Sequence, residues 1–202
     1  MKSLLGISNL YGSKERVSKL LGNKLNSVFD RFWIDQINAP KLDTAGLDHN
    51  KLRFYKTLKG SFTIEPYISN IQNKSQRAWL TRYRVSAVSN LRMESGRYTR
   101  PVTPVTERFC CYCNSNCIDD EMHAILVCTT FTLKRNCLFG KLSSLIPNFL
   151  QLSQDQRLLA ILCPATADIA LCVSKYLGII SDTRSKLDKG LSNDMLTNYC
   201  KT

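Results

Sequence analysis

Histidine is scarce in this sequence, with two copies among 202 residues, and a Gly-rich phosphate loop is absent. His49 stands in a polar stretch without a partner pattern, so we interpret it as a surface residue. The other, His123, lies among cysteines, which leaves no histidine for a Ser-His-Asp set. The clustered aspartates on a strand hairpin that a polymerase needs to hold two Mg²⁺ ions are missing as well. These absences predict that the chain is not an enzyme.

Long hydrophobic runs are also absent. Thr166, Asp168 and Lys175 interrupt the longest candidate, so it falls short of the ~20 apolar residues that a transmembrane helix needs. The first six residues form an apolar block that is too short for a signal peptide. Nine cysteines, an odd number without an export signal, favour a reducing compartment and metal ligation over disulfides. We therefore predict an intracellular protein of the nucleus or cytoplasm, with no membrane partner and no small-molecule substrate.

The apolar residues, 44% of the chain, are enough for one core or two small ones, and most recur at helical spacing. Because there is little strand signal, the sequence predicts a mainly α-helical protein. Gly22 and Asn23 are expected to break residues 13–37 into two short helices. From Asp182 onward the chain is expected to fray. Further helices are predicted over residues 51–58, 76–91, 131–145, 153–163 and 165–181. Asn73 or Ser75 is expected to cap the second of these, and residues 153–156 form a capping pattern at the start of the fourth.

The net charge of +12 is distributed unevenly. Residues 1–108 carry 19 lysines and arginines against 8 acidic residues, whereas residues 109–202 carry 9 against 8. A basic first half indicates a polyanionic partner, RNA or DNA, and the near-neutral second half is expected to pack on itself. The alternative is that the basic faces only keep the protein soluble.

A cysteine and histidine pattern follows the basic half. Cys110, Cys113, His123 and Cys128 form the spacing C-x2-C-x9-H-x4-C. Zn²⁺ takes four sulfur or nitrogen donors in a tetrahedron, and a C-x2-C turn presents two thiolates to one side of it. The acidic residues 119–121 precede an apolar run and indicate a helix start, so His123 and Cys128 are expected on one helix. The pattern predicts a Zn²⁺ site, and the alternative is a set of buried free cysteines with a surface histidine.

Two further thiols complicate the choice of ligands. Cys111 adjoins Cys110, and Cys117 could pair with Cys113 across three residues. We prefer Cys110 with Cys113 because two intervening residues are the common spacing of zinc knuckles. Substitution by Cys111 or Cys117 stays open at this point.

Three segments around this pattern carry a resemblance to a known family. They are L-R-M-E-S-G-R-Y at residues 91–98, R-F-C-C-Y-C at residues 108–113, and D-E-M-H followed by L-V-C within residues 120–128. Together they resemble the carboxyl-terminal zinc-binding region of non-LTR retrotransposon reverse transcriptases. The similarity is sharp over residues 91–131 and weaker over residues 51–90. The family usually has proline after its last cysteine, where this chain has Thr129.

Six arginines in the basic half are candidate nucleic-acid-binding residues. Some lie along one face of the predicted helix 76–91, and the others lie on an irregular basic segment before the cysteines, where the resemblance favours phosphate contact. The alternatives are an ordinary solvated face, or pairing with Glu94 or Glu107. The six are Arg77, Arg84, Arg92, Arg97, Arg100 and Arg108.

The resemblance implies a zinc finger that binds nucleic acid as the tail of a transposable element's reverse transcriptase, without the polymerase active site. The polymerase domain of a parent polyprotein is a possible partner. The alternative is a structural zinc module that docks onto a protein through its apolar carboxyl-terminal helices. The predicted segments are basic helices (1–37), a linker (38–50), a basic helical segment (51–109), the zinc motif (110–128), a helical segment (129–184) and a polar tail (185–202).

Overall fold

The computed structural model describes residues 14–39, 41, 50–52, 54–59 and 63–190. His49, most of the predicted linker and the tail beyond residue 190 lie outside these ranges. Within them, one antiparallel bridge, between Phe109 and Ile118, is the only β-type pairing, so the predicted mainly α-helical class is confirmed. The α-helices are α1 (Lys14–Asn38), α2 (Tyr55–Leu58), α3 (Pro66–Asn70), α4 (Lys74–Arg84), α5 (Arg92–Ser95), α6 (Thr132–Leu145), α7 (Gln154–Leu162) and α8 (Ala167–Leu187).

The chain divides into two compact units, residues 1–39 and residues 40–202. The described part of the first unit is α1, a continuous helix of 25 residues. The predicted break at Gly22 is therefore wrong. A glycine inside a helix costs only about 1 kcal/mol relative to alanine, which a helix of this length tolerates.

Several helices in the second unit begin at the residues that the sequence predicts. The Asn73 side chain accepts the backbone N–H groups of Ser75 and Gln76 at 3.0 and 3.1 Å, which caps α4. Ser153 and Gln156 form a reciprocal capping box at the start of α7. These side chains satisfy amide donors that a helix start leaves without intrahelical partners.

Two helix ends differ from the prediction. Helix α4 ends at Arg84, not near residue 91, and Ser86 follows in the left-handed region with φ 52°. Helix α8 continues to Leu187, so the predicted fraying from Asp182 is wrong. Its last turns are held because Arg184 is fully buried. Local polarity predicted a frayed end, but long-range contacts extend the helix.

Helix α8 is the centre of the second unit, where it packs against α3, α4, α6 and α7. Gly178 allows α4 to approach closely, because a Cβ atom at this position would lie 3.0 Å from Cδ1 of Trp79. The apolar face of α8 is buried in the core through Ile169, Val173, Leu177 and Ile180.

In the described parts of the chain, no single helix has the length and apolar composition to cross a bilayer. Helices α7 and α8 meet that test only as a pair, and the pair is bent by 103°.

Candidate metal centre

Cys110, Cys113, His123 and Cys128 converge in the structure, with their ligand atoms all within 4.8 Å of one another. The Sγ atoms of Cys110 and Cys128 are 3.9 Å apart, and Sγ of Cys113 is 3.4 Å from Nε2 of His123. A tetrahedral site with metal–sulfur bonds of about 2.3 Å has sulfur–sulfur edges of about 3.8 Å. The separation of Cys110 and Cys128 matches such an edge, and the four side chains are close enough to hold one tetrahedral ion.

A short hairpin positions the first two ligands. Around the bridge between Phe109 and Ile118, the N–H of Cys110 donates to the carbonyl of Cys117 at 2.9 Å, and the N–H of Asp119 donates to the carbonyl of Arg108 at 2.9 Å. These bonds close the loop that carries Cys110 and Cys113. We call residues 110–128 the Cys/His turn.

A π-helical turn at His123–Val127 positions the other two ligands. The N–H of Cys128 donates to the carbonyl of His123 at 2.7 Å, and Oδ1 of Asp120 accepts the N–H of His123 at 2.9 Å. A five-residue step along an α-helix rotates a side chain by about 140°. The wider turn, closed between residues five apart, brings His123 and Cys128 to the same side. The predicted helix is present. Its two ligands reach the same site because the turn is π-helical and not α-helical.

The two extra thiols lie outside this arrangement. Cys111 is exposed, and Cys117 directs its Sγ at the carbonyl of Ser115, 3.4 Å away. Neither belongs to the group of four converging side chains. The geometry thus brings together the ligands preferred from the C-x2-C spacing.

Hydrogen bonds and burial shift the pKa values of the four converging side chains in both directions. The hydrogen bond with Cys128, reinforced by burial, raises the pKa of Cys110 to about 12. The same hydrogen bond from Cys110 lowers the pKa of Cys128. Burial lowers the pKa of His123, but hydrogen bonds and charges from Cys110 and Cys113 outweigh it and raise that pKa to about 9. Because a metal binds thiolates and neutral imidazole, loading the site releases protons.

The two ring nitrogens of His123 differ in their surroundings. Nε2 faces Cys113, whereas the buried Nδ1 has no hydrogen-bond partner in the described structure. Metal-ligating histidines ordinarily donate through the second nitrogen to a carboxylate, carbonyl or water.

A buried ion pair between Arg184 and Asp119 stabilises the Cys/His turn. Nη1 and Nη2 of Arg184 donate to the two carboxylate oxygens of Asp119 at 2.8 and 2.7 Å, and both side chains are 0% exposed. Oδ2 of Asp119 also accepts the N–H of Arg92 at 2.9 Å. The sequence predicts that Asp119 lies at a helix start and does not predict this ion pair. Its partner lies 65 residues away, so no local pattern identifies the pair.

Aromatic rings enclose this arginine. The guanidinium of Arg184 lies 4.6 Å from the ring centre of Tyr112 and 5.5 Å from that of Phe131. The hydroxyl of Tyr112 donates to Oδ1 of Asp188 at 2.6 Å. Because Tyr112 sits between Cys111 and Cys113, these contacts attach the Cys/His turn directly to the end of α8.

Two further hydrogen bonds hold the second half of the turn. The hydroxyl of Tyr176 donates to the carbonyl of Ile125 at 2.9 Å, and Nη1 of Arg135 donates to the carbonyl of Cys128 at 2.9 Å. The Cys/His turn is therefore anchored to both α6 and α8.

Two of the six candidate arginines are buried, which does not fit their predicted role. Arg84 is 1% exposed; Nη2 lies 2.9 Å from Oε1 of Glu65, and Nη1 donates to the carbonyl of Leu162. Arg108 is 3% exposed and donates to the carbonyls of Met93 at 2.8 Å and Thr103 at 3.0 Å. Both are therefore withdrawn as phosphate ligands, because their guanidinium groups are buried and contact interior oxygens.

The remaining candidates differ in their access to solvent. Arg97 is half-buried and pairs with Glu94 at 3.1 Å, which is the alternative that the sequence left open. Arg77 is half-buried and donates to the carbonyls at the end of α3, while Arg92 is half-buried and Arg100 is exposed. The structure does not gather the six on one basic face.

No family model, curated protein or solved structure matches this chain. The chemistry of the site is therefore inferred from its donor atoms. Three sulfurs and one nitrogen form a donor set for a soft or borderline ion, unlike the oxygen ligands preferred by Mg²⁺ and Ca²⁺.

Proposed function

We propose that this chain is a zinc-binding, nucleic-acid-binding module without catalytic activity, the tail of a non-LTR retrotransposon reverse transcriptase. The observation that carries the proposal is the convergence of three cysteines and one histidine within 4.8 Å. The ligands are those that the resemblance to this family implies. The partner of such a tail would be RNA or DNA, with the polymerase domain of a parent polyprotein as a second partner.

The choice of Zn²⁺ is supported by the donor set and by burial. Tetrahedral Cys₃His is a common structural zinc site, in which all four positions are filled by protein. Cys110, His123 and Cys128 are buried. A closed site of this kind holds the fold together and leaves no coordination position for a substrate.

Nucleic-acid binding is supported by charge. The chain carries a net charge of +12, and a basic surface attracts phosphates over a long range. Arg100 is exposed on the segment before the Cys/His turn, and Arg82 is exposed on α4, 4.7 Å from the ring centre of Trp79. Arginine next to an aromatic ring is a common way to contact single-stranded nucleic acid.

The metal assignment is tested by elemental analysis of the purified full chain. We expect about one zinc per chain, and we expect a chelator to lower the melting temperature, because metal affinity contributes to folding free energy. Cys111→Ser is the matched control and should retain the metal. A chain that binds no zinc and melts identically with and without chelator would contradict the proposal.

The nucleic-acid assignment is tested by the salt dependence of binding. The zinc-loaded chain is titrated with single-stranded RNA, single-stranded DNA and duplex DNA. The logarithm of affinity should fall linearly with the logarithm of salt concentration, by about 0.7 per neutralised phosphate for single strands and about 0.9 for duplex. Absence of binding to all three at low salt would remove nucleic acid as the partner.

A second candidate function is docking onto a protein through apolar side chains. Most apolar side chains of α8 are in the core, whereas Leu133, Leu159 and Leu171 of the carboxyl-terminal helices are exposed. Helix α1 also exposes Leu25, Val28, Phe29 and Phe32, each by more than half of its surface. An apolar helix face is a common way to bind a partner groove, and its affinity would change little with salt.

A further inference from the structure

Helix α1 carries an apolar stripe along one side. Its residues recur at intervals of three and four, which places them on one face of the helix: Leu21, Leu25, Val28 and Phe32, with Phe29 beside them. We call these five residues the α1 stripe. All of them except Leu21 are more than half exposed and line one groove along the helix. Because helices in proteins are stabilised mainly by packing of such a face, the α1 stripe is expected to meet a partner.

Aromatic rings form the last part of this surface and are ordered against one another. Trp33 makes edge contacts with Phe29 and with Phe32, and the ring centres are 5.9 Å apart in both pairs. Aromatic side chains are enriched at protein–protein interfaces, and side chains that are already ordered lose less conformational entropy on binding. The composition of the surface therefore favours a protein partner.

The charges of α1 indicate which protein would fit. Residues 14–24 carry four basic side chains and one acidic side chain, whereas residues 25–38 carry two acidic side chains and one basic side chain. A second copy of α1 that packs antiparallel would place each basic half beside an acidic half. A parallel copy would instead place like charges together. Charge complementarity thus favours a second copy of this chain in the antiparallel orientation.

Two charged residues extend the α1 stripe at its ends. Lys14 lies seven residues, two helical turns, before Leu21, and Asp35 lies seven residues after Val28. Within the described part of the chain, neither Lys14 nor Asp35 forms an ion pair. Antiparallel packing brings the Asp35 end of each helix to the Lys14 end of the other, so opposite charges meet at both ends.

The exposed surface is large enough for a dimer of modest affinity. The side chains of Leu25, Val28, Phe29, Phe32 and Trp33 are 39–56% exposed. At about 150–250 Å² for a whole aromatic side chain, two copies would together bury on the order of 1,000 Å² of apolar surface. That is about the lower limit for a specific interface. The dimer should therefore be reversible and depend on protein concentration.

We propose that two copies of this chain associate through α1, with the helices antiparallel and the α1 stripe of each copy packed on that of the other. The inference does not rest on nucleic-acid binding. It goes beyond docking onto a protein because it identifies the partner as the chain itself.

Sedimentation equilibrium of the zinc-loaded full chain tests the association. We expect a reversible equilibrium between monomer and dimer for the wild type. Phe29→Glu/Phe32→Glu should be monomeric, because it would bury carboxylates against an apolar surface. The matched control, Leu133→Glu/Leu159→Glu, replaces two exposed apolar side chains of α6 and α7 and should leave the dimer intact. A wild-type chain that stays monomeric at its highest soluble concentration, or a Phe29→Glu/Phe32→Glu variant that still dimerises, would overturn the inference.

Charge reversal tests the orientation with substitutions outside the apolar surface. Lys14→Glu alone, or Asp35→Lys alone, places like charges at both ends of an antiparallel dimer and should weaken it a few-fold. The combined variant Lys14→Glu/Asp35→Lys restores opposite charges and should recover the wild-type affinity. Single reversals without effect, or a combined variant as weak as either single one, would overturn the antiparallel arrangement. Nucleic-acid binding is measured separately, so its failure would leave this inference unaffected.

Discussion

The Cys/His turn and the arginine-bearing helix α4 were both identified from residue type and spacing, yet they behave differently in the folded chain. In the turn, all four predicted ligands converge. On α4, Arg84 is buried against Glu65, while Arg82, two residues earlier, is exposed. Metal ligands act only as a set, so their spacing carries geometric information. The position of an arginine carries less information, because its side chain can be exposed to water or buried against a carboxylate.

The largest effect is expected at the turn itself. Cys113→Ala or His123→Ala should abolish stoichiometric zinc binding and lower the apparent free energy of unfolding by several kcal/mol, because three ligands hold the metal far less tightly. Denaturant titration with parallel metal analysis measures both changes. Cys117→Ser is the control and should remain within about 0.5 kcal/mol of wild type. If Cys117→Ser lost the metal as readily as Cys113→Ala, our assignment of ligands would be wrong.

The buried pair behind the turn should come next. Asp119→Ala leaves the guanidinium of Arg184 without its carboxylate, and breaking such a pair costs about 3–5 kcal/mol. The double variant Asp119→Leu/Arg184→Met should recover much of that loss, since it removes both charges. Denaturant titration of the wild type, Asp119→Leu, Arg184→Met and the double variant, with zinc content verified for each, measures the coupling. Additive losses in the double variant would show that the two side chains do not interact.

The two arginines of α4 provide a matched comparison of smaller size. Arg84→Gln should cost about 1–3 kcal/mol, because it leaves the buried carbonyl of Leu162 without its donor and Glu65 with Lys59 as its remaining cation. Arg82→Gln should stay within about 0.5 kcal/mol of wild type. The melting temperatures of the two variants provide the measurement. Equal stability would contradict the inward orientation of Arg84.

The smallest effect on stability is expected at Arg100. Because this side chain is exposed, Arg100→Gln should leave the melting temperature unchanged. If it contacts a phosphate, the salt slope for single-stranded nucleic acid should fall by about 0.7. An unchanged slope would remove Arg100 from the binding surface.

Local chemistry explains most of what the sequence predicted correctly. Asn73 and Ser153 cap helices because their side chains reach the next amides along the chain. The four metal ligands lie within nineteen residues of one another, from Cys110 to Cys128, so a hairpin and a helix start are enough to place them. Features set by neighbouring residues are therefore predictable from one sequence.

The features that escaped prediction depend on distant partners. The structural role of Arg184 cannot be predicted from nearby residues, because its partner Asp119 is distant in the sequence and lies beside it only in the folded chain. The full length of α8 has the same cause, since its polar last turn is held by this pair. Lysines of α6 and α8 line one cavity, in the half of the sequence whose net charge is close to zero. A sum of charges over a segment does not reveal how they are grouped in space.

Because of the π-helical turn, the metal site depends on the number of residues between His123 and Cys128. Removing one residue between His123 and Cys128 would let the turn relax to α-helical closure, and each residue of an α-helix adds about 100° of rotation. Cys128 would then approach the site from a different direction and register. Replacing Val127 by another apolar residue keeps the count and should be tolerated. We therefore expect insertions and deletions in this short stretch to impair metal binding far more than substitutions do. The positions of the ligands depend on the number of residues between them as well as on residue type.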